Sequence, residues 1–450
     1  MAKSRIGEYS RIERIKRLVQ APNAHIARLV SMLRPIELAQ LLEDCDEELQ
    51  QKVVRHLPRE LVSQALAEMD EETNPGELLL RLHPRAAADL IQELDPDDAT
   101  DLLSQIDEPY RERILHHIPD EEEKVINQLL TYDEESAGGI MNPEVVKVKT
   151  DMTMLQATRA VVEQSEEVEE FYYIYVVDEG DKLVGYLTFK MLFRNPRNML
   201  VEDVMEKDIE SVQVDTDQEE VARKMSQFNL PTLPVIGLDG RLLGRITFDD
   251  VMDVMEEEST EDILSFAGVS DDADLRGGWA NSVKSRVPWL LVNLATASTA
   301  AFVISRFEGT LSQITALAFF MPVIAGVAGN GATQTLAVTL RRLSTDGIPP
   351  NKALGVILKE VTVGTINGLM IGAIASIIAI ASNTNPLLGL VVFLALCGNL
   401  IISGLVGSFF PILLERLGVD PAVASSIFIT AFTDILGYSL LFGLGTVILL

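Results

Sequence analysis

The sequence predicts a multidomain integral membrane protein with an all-α superhelical N-terminal domain, an α/β middle part and an α-helical five-span transmembrane domain. Three observations support this class. The charge is divided sharply along the chain, five long apolar stretches occupy its second half, and the residue pattern of the first half changes from helical to strand–helix near residue 131. A single average hydropathy for the whole chain therefore hides a membrane domain.

Residues 1–130 are predicted to form an acidic helical-repeat domain. Segments such as LRPIELAQLLEDCDEE and LPRELVSQALAEMDEE share a proline, flanking acids and leucine-type residues at i, i+3 and i+4. Proline suits the first turn of a helix, where its missing N–H has no intrahelical acceptor, and acids favour the positive helix end. Short amphipathic helices of this kind stack into a superhelix, which is typical of a binding or regulatory scaffold.

Residues 131–254 repeat a strand–helix–hairpin pattern. The first copy contains the strand-like run VVKVKTD, a helix from Met154 to about Gln164, and a β-rich hairpin that includes Gly185. The second copy contains SVQVDTD, a helix over 219–228, and a hairpin that includes Gly244. The DEGDK and LDGR segments between β-rich runs are hairpin signals. An α/β domain built from two similar units is expected.

The segment that follows is acidic and is predicted to be helical. Carboxylates at Asp249, Asp253, Glu257 and Glu261 are four residues apart, so they share one face of a helix. Like charges at this spacing repel one another, and such a face favours bound counter-cations. An ordinary solvated linker is the alternative. Because residues 255–277 lead toward the first apolar stretch, we expect them to connect the soluble half to the membrane and to act as a gate.

Residues 278–450 are predicted to be the transmembrane domain. A helix needs about 20 apolar residues to cross a bilayer, and five stretches are long enough: 288–306, 314–340, 353–381, 386–414 and 421–448. Basic residues favour cytoplasmic loops, and those flanking these spans fall mostly on one side: Lys284, Arg286, Arg341, Arg342, Lys352 and Arg416. Met1–Arg17 is charged and lacks the apolar core of a signal peptide. A multi-pass protein of the cell membrane is expected, with cytoplasmic N-terminal domains and its C-terminus outside.

The charge distribution points to cations as partners. The whole chain has a net charge of −30; the eight basic and six acidic residues after Gly277 leave −32 on residues 1–276. A field this negative repels nucleic acid and attracts divalent cations, although solubility alone explains a smaller excess. The two cysteines lie in different halves, and the five histidines lack zinc-motif spacing. With no nucleophile–base pair or phosphate-binding loop either, the sequence does not indicate an enzyme.

Asp434 is the only charged residue between Pro421 and the C-terminus, and it lies within an apolar stretch. Carboxylates inside a membrane are costly and mark ion or proton paths. The alternative is a structural carboxylate satisfied by hydroxyls of a neighbouring helix.

The middle part resembles a tandem pair of CBS domains, which sense adenine nucleotides or other small ligands. With YDEESAGGIMNPE (132–144), the acidic helix, PVIAGVAGN (322–330) and GVDPA (418–422) in this order, the chain resembles the MgtE family of magnesium transporters along nearly its whole length. The resemblance implies a homodimeric, lipid-embedded Mg²⁺ channel, closed by cytoplasmic Mg²⁺ through a plug helix, with ATP as a candidate CBS ligand. Oxygen ligands also suit Co²⁺, Mn²⁺ and Ca²⁺, so the choice among these ions stays open.

The resemblance, together with the chemistry of Mg²⁺, indicates candidate pore residues. Mg²⁺ gives up water reluctantly, so a hydrated ion near Asp434 of each subunit is expected. We expect Asn330, Thr430 and Ser426 to contribute oxygens there, although the family typically has asparagine where Ser426 stands. A helix break is expected at Pro322 and the glycines that follow it (Gly326, Gly329, Gly331), which would free carbonyls to line the path. Helix packing through small residues is the alternative.

Two regulatory cation sites are predicted. In the first, Glu257, Glu261 and Asp262 face Asp420 at the pore mouth. The second joins Asp249, Asp250 and Asp253 to acids of the N-terminal domain, with these two as candidates: Asp95 and Asp97. Mg²⁺ bridging would compact the domains and seal the pore. Two other functions are considered: a proton- or Na⁺-coupled transporter, with Lys359-Glu360 as a second ionisable group, and a membrane receptor that does not transport.

Overall fold

The computed structural model describes residues 33–70, 73–165, 168, 171–269, 279–346, 348–383, 385–423 and 426–450, without the side chains of residues 345, 346, 383, 423 and 426. The predicted domain parts at 1–32 and 270–278 lie outside these residues. The chain divides into two compact units, Met1–Glu256 and Glu257–Leu450.

The first unit begins with short helices packed on one apolar core, as predicted. They are α1 (Pro35–Glu43), α2 (Glu47–Val54), α3 (Arg59–Ala67), α4 (Gly76–Leu80), α5 (Pro84–Ile91), α6 (Pro96–Ser104), α7 (Glu108–Leu115) and α8 (Asp120–Leu129). Pro35, Pro84 and Pro96 each occupy the first helical position, whereas Pro58 and Pro119 precede their helices as N-caps. One cluster of buried, mostly leucine, isoleucine and alanine side chains joins these helices.

The α/β pair follows, and its two halves share one topology. The first half contains β1 (Lys147–Lys149), α9 (Met154–Gln164), β2 (Ile174–Val177), β3 (Leu183–Leu187), α10 (Phe189–Arg194) and α11 (Val201–Val204). The second contains β4 (Val212–Gln213), α12 (Gln218–Phe228), β5 (Thr232–Ile236) and β6 (Leu242–Thr247). In each half the central strand pairs in parallel with the first and antiparallel with the third.

The two matched glycines of the repeat hold equivalent positions. Gly185 pairs with Val176 and Gly244 pairs with Val235, next to the register shift of each hairpin. A Cβ on Gly185 would overlap the carbonyl oxygen of Glu206, and one on Gly244 would lie 2.7 Å from the carbonyl oxygen of Asn142. The repeat therefore requires glycine because a connecting backbone crosses each sheet there.

The remaining elements are almost entirely helical. They are α13 (Phe248–Ala267), α14 (Trp279–Arg306), α15 (Glu308–Gln313), α16 (Ala316–Asp346), α17 (Ala353–Asn383), α18 (Pro386–Arg416), a 3-10 turn (Pro421–Val423) and α19 (Ser426–Leu449). In the described part, five helices are long and apolar enough to cross a membrane, which confirms the predicted number. The first starts at Trp279, well before the predicted 288. The prediction counted only the apolar stretch, whereas the helix also includes the charged residues Lys284 and Arg286.

The expected break in the second span is wrong. α16 runs without interruption from Ala316 to Asp346, with Pro322 inside it. A proline in the second turn removes a single backbone hydrogen bond, and further breaks in an apolar medium would leave groups unsatisfied. Two of the glycines lie against neighbouring helices instead: a Cβ on Gly329 would lie 3.3 Å from Thr430, and one on Gly331 would lie 2.9 Å from Leu400. A Cβ on Gly326 would meet nothing within 4 Å, so packing does not explain that glycine.

Helices α17 and α18 approach each other through a row of glycines. Gly364, Gly368 and Gly372 lie four residues apart on one face of α17. A Cβ on Gly364 would overlap the carbonyl oxygen of Leu400, and one on Gly368 would lie 2.9 Å from the Cα of Cys397. Lipid tails are as apolar as these side chains, so the hydrophobic effect does not drive membrane helices together. Close backbone packing of this kind stabilises their association instead.

We expect Gly368→Ala to destabilise the membrane domain by about 1–3 kcal/mol, since the added methyl group would have to displace the α18 backbone. Thermal unfolding of the full chain in detergent measures the change. Gly355→Ala is the matched control on the same helix, because a Cβ at Gly355 meets nothing within 4 Å. Equal unfolding temperatures for the two variants would contradict the packing role.

Candidate cation sites

The first candidate site begins at the N-terminus of α6. Asp95 is the N-cap residue, Pro96 occupies the first position, and Asp97 and Asp98 follow in the first turn. Acids are favourable at this end of a helix because the unpaired N–H groups and the helix dipole are positive there. Asp97 is nonetheless only 8 % exposed, so its carboxylate has lost most of its water.

Asn142 ties these acids to the α/β pair. Its side-chain amide donates to Asp95 Oδ2 at 3.3 Å and to Asp97 Oδ1 at 3.2 Å. Its main chain pairs with Arg245 of β6 through two hydrogen bonds of 2.8 Å. The segment 132–144 was part of the family resemblance, but Asn142 was not singled out from the sequence. The structure gives it the role of a bridge between α6 and β6.

The start of α13 completes the acidic cluster. Asp250 accepts a hydrogen bond from the backbone N–H of Thr247 at 3.1 Å and a second from its hydroxyl. Asp250 interacts electrostatically with both Asp97 and Asp98, and Asp249 with Asp98. The structure thus brings Asp250 within electrostatic reach of Asp97 and Asp98, and Asp249 within reach of Asp98. That these acids bind a cation together stays a prediction.

Two members of the cluster were missed from the sequence. Asp98 follows Asp97 directly, and the PDD motif of α6 is a signal that both acids belong to one helix start. Glu68 caps the end of α3, and no sequence pattern connects it to α13. The structure places it within electrostatic reach of Asp98 and Asp253.

Burial and mutual repulsion shift the protonation of this cluster. Burial, followed by the charges of Asp98 and Asp250, raises the pKa of Asp97 well above its ordinary value. Burial, then Asp250 and Asp95, raises the pKa of Asp98 to about 7. Burial also raises the pKa of Asp253, with Asp250 and Glu68 adding to it. Such carboxylates are costly when ionised together, so the cluster favours a proton or a cation.

The acidic cluster concentrates negative charge within the first unit. Among the described residues, no group of three or more His, Cys, Asp or Glu side chains is placed to hold one metal ion. Mg²⁺ usually keeps several of its waters and is bound through one or two carboxylates. The chemistry of the donors therefore fits hydrated Mg²⁺ at Asp97, Asp98 and Asp250.

We expect the unfolding temperature of the full chain without divalent cations to fall as the pH rises from about 4 to 7. The folded state holds the proton of Asp98 more tightly than the unfolded state does, because its pKa rises from 3.8 to about 7 on folding; stability is then lost as that proton leaves. Thermal unfolding at fixed ionic strength measures it. An equally steep loss in Asp98→Asn would contradict the assignment.

The second candidate site lies near the end of α13. Asp262 lies 3.4 Å from the hydroxyl of Ser344, which donates to it. Burial, together with the charge of Asp420, raises the pKa of Asp262. Asp420 itself accepts from the backbone N–H of Ala422 at 2.8 Å. The predicted pair of Asp262 and Asp420 is therefore close enough to interact, and an ion between them would relieve the repulsion.

The other two residues predicted for this site lie on the same helix. Glu257 is exposed and Glu261 is half-buried, one turn apart on α13. Further along, Phe266 packs against the apolar cluster of α16, α18 and α19.

The third candidate site is in the membrane. Asp434 is half-buried on α19, and its Oδ1 is buried without a hydrogen-bond partner in the described part of the chain. Thr430, one turn earlier, packs against Gly329 of α16. Asn330, the residue after Gly329 on α16, is exposed. The side chain of Ser426 lies outside the described residues. An unsatisfied carboxylate at this depth suits a hydrated cation.

One buried polar residue of this region was missed. Asn399 of α18 is fully buried and donates to the carbonyl oxygen of Ile324 at 3.4 Å. Its own Oδ1 is buried without a partner among the described residues. An amide within the otherwise apolar stretch 386–414 is a signal that the sequence offered.

The chain matches three family models. Residues 33–135 match the MgtE intracellular N domain, residues 137–197 and 201–257 match the CBS domain, and residues 321–444 match the MgtE family, described as divalent cation transporter. The chain is similar to a protein of Enterococcus faecalis named magnesium transporter MgtE, with 34 % identity over 91 % of this chain and 90 % of that one.

Further relatives agree. Proteins with the same name from Bacillus subtilis and Thermus thermophilus are 32 % and 37 % identical, over 95 % and 69 % of this chain and 89 % and 70 % of theirs. A crystal structure of the cytosolic domain of the Mg²⁺ channel MgtE in complex with ATP aligns with a TM-score of 0.51 at 30 % identity, covering 54 % of this chain and 99 % of that one.

Proposed function

The chain belongs to the MgtE family of divalent cation transporters, and we propose that it carries Mg²⁺ into the cell as a channel that cytoplasmic Mg²⁺ closes. It is a multi-pass membrane protein, with five helices that can cross a bilayer. Its similar relatives are named as transporters.

Asp434 carries the proposal for permeation. Its carboxylate is the single charge of α19 and has an acceptor oxygen with no partner in the described residues. A hydrated Mg²⁺ supplies the missing hydrogen-bond donors through its water and the missing charge through its metal. Thr430 lies one turn away on α19 and packs against Gly329, the residue before Asn330 on α16. Thr430 and Asn330 would bind further waters, and Ser426 is kept as the fourth residue of this set.

The acidic clusters carry the proposal for closure. Without cations, Asp97, Asp98 and Asp250 repel one another, and with Mg²⁺ that repulsion becomes attraction through the ion. A shift from mostly open to mostly closed requires about 5.5 kcal/mol of differential binding. Five or six weakly bound ions at about 1 kcal/mol each supply it. Residues 255–277 would act as the plug, with Asp262 and Asp420 binding an ion at its base.

The assembly is proposed to be a homodimer in the lipid bilayer. Only 6 % of the first span is buried within its own chain, which leaves its apolar surface for lipid or for a second copy. The basic residues near the start of α14 and near the ends of α16 and α18 support a cytoplasmic N-terminal half and an external C-terminus.

ATP is the proposed ligand of the CBS pair. The support is the related cytosolic domain whose crystal structure contains ATP. Co²⁺ and Mn²⁺ are proposed as further permeant ions, because carboxylate oxygens also accept them.

The purified chain in liposomes tests the proposal. A Mg²⁺-sensitive dye trapped inside should report uptake at micromolar internal Mg²⁺. In patches of the same membranes, the Mg²⁺ current should stop when Mg²⁺ on the cytoplasmic face is raised to about 10 mM, enough to fill weak carboxylate sites. Uptake that requires a proton or Na⁺ gradient would contradict the channel reading. Absence of uptake at every internal concentration would contradict Mg²⁺ transport itself.

A further inference from the structure

Asn399 occupies a junction of three membrane helices. It lies on α18, donates to the carbonyl oxygen of Ile324 on α16, and contacts α19 at Gly437. A Cβ on Gly437 would overlap the Asn399 amide nitrogen, so the amide lies directly against the α19 backbone. Gly437 follows Asp434 by three residues, and the two positions therefore lie on neighbouring faces about 4.5 Å apart along the helix axis.

The same face of α18 contacts α16 over three consecutive turns. Asn399 donates to Ile324 and Ser403 donates to the Ala328 carbonyl at 2.8 Å. One turn further, Gly407 lies so close to α16 that a Cβ would be 2.6 Å from the carbonyl oxygen of Ala332. These contacts recur every four residues on both helices. They therefore fix the position of α16 along its axis and its rotation relative to α18.

The hydrogen bonding of Asn399 differs from that of Ser403. The Ser403 hydroxyl bonds two backbone carbonyls, whereas the Oδ1 of Asn399 has no partner in the described residues although the side chain is 0 % exposed. A leucine of similar size would avoid an unsatisfied buried acceptor. Packing alone therefore does not explain an amide at this position, and polar groups inside membrane bundles are typically functional.

We propose that Asn399 is a positioning residue of the conduction path: its amide holds α16 against α19 one turn from Asp434 and so sets the spacing between Asp434 and the polar residues of α16. The inference rests on the proposed Mg²⁺ transport. The ion's octahedral water shell has a fixed size, so the spacing of the oxygens that receive it determines which hydrated ion fits. Asn399 acts through the helices, and its buried side chain does not bind the ion.

Full-length Asn399→Leu in liposomes tests the inference, with Mg²⁺ and Ca²⁺ uptake and the unfolding temperature measured on one preparation. We expect an unfolding temperature at or above that of the wild type, Mg²⁺ uptake lower by about 3- to 30-fold as for mutations that act through coupled packing, and a changed ratio of Mg²⁺ to Ca²⁺ uptake. Ser408→Ala is the matched control, because the buried Ser408 hydroxyl donates to the carbonyl oxygens of Gly404 and Leu405 within α18 itself. This variant should keep the wild-type ratio.

The outcomes separate the two proposals. Wild-type uptake and an unchanged ion ratio in Asn399→Leu would overturn the positioning role alone. The same holds if the loss of uptake follows a lower unfolding temperature with the ion ratio unchanged, since Asn399 would then act only as structural contact. Absence of Mg²⁺ uptake in the wild type would overturn the proposed function, and with it the inference.

Discussion

Asp434→Asn is expected to lower Mg²⁺ uptake at micromolar internal Mg²⁺ by at least about 100-fold. A unit charge and a divalent ion about 5 Å apart interact by roughly 7 kcal/mol at an effective dielectric constant of 20. Losing less than half of this free energy accounts for the expected decrease. Asparagine keeps the shape of the side chain, so the effect reports charge rather than packing. Dye-loaded liposomes measure the initial rate.

Ser439→Ala is the matched control for this experiment. Ser439 is a polar residue on the same helix, and its hydroxyl bonds the carbonyl oxygen of Ile435 within α19. Its removal changes no charge, and the hydrogen bond that is lost lies within α19. Uptake in Asp434→Asn that stays within a few-fold of this control would show that the ions take a different path.

Neutralising the start of α13 is expected to abolish closure by internal Mg²⁺. The variant is Asp249→Asn/Asp250→Asn/Asp253→Asn, and its Mg²⁺ current at about 10 mM internal Mg²⁺ should stay within about twofold of its current at micromolar internal Mg²⁺. The reason is that carboxamides carry no charge, so they neither repel one another without cations nor attract Mg²⁺ as carboxylates do. The differential binding that closes the channel is then lost. Patch-clamp currents with stepped internal Mg²⁺ measure the change.

A triple substitution in the first turn of α8 provides the control: Asp120→Asn/Glu121→Gln/Glu122→Gln. It removes the same number of charges from exposed positions. Two results would contradict the closing role of the α13 acids. Normal closure in the variant would mean that these acids are only a solvated face, and a channel closed even at micromolar Mg²⁺ would mean that repulsion matters more than bridging.

The soluble half was predictable because its signals are local. A proline with acids in the following turn favours a helix start, and helices begin in this way at Pro35 and Pro96. The α/β repeat was recognisable from matched positions such as Gly185 and Gly244, which require glycine for a shared steric reason. The acidic cluster was predictable only in part. Asp250 and Asp97 follow from charge and order along the chain. Glu68, at the end of α3, joins them only through the packing of the helical repeats.

The membrane half was predictable in its spans but not in its contacts. Length and apolarity locate the five helices, since the bilayer imposes both. The unbroken α16 was not foreseen because a glycine that frees the backbone and a glycine that admits a neighbour look the same in a sequence. Asn399 was missed for a related reason. Its structural role depends on contacts with Ile324 and Gly437, which lie far from it in the chain.

The glycine row between α17 and α18 has a consequence for biogenesis. Asn383 and Pro386, the facing ends of these helices, are separated by two residues. Each span is more apolar than the other three, and their shared surface is complementary before any other helix is present. This pair is therefore suited to enter the bilayer together as one helical hairpin. The remaining spans, with Asp434 and the basic loops, can then assemble on a rigid two-helix template.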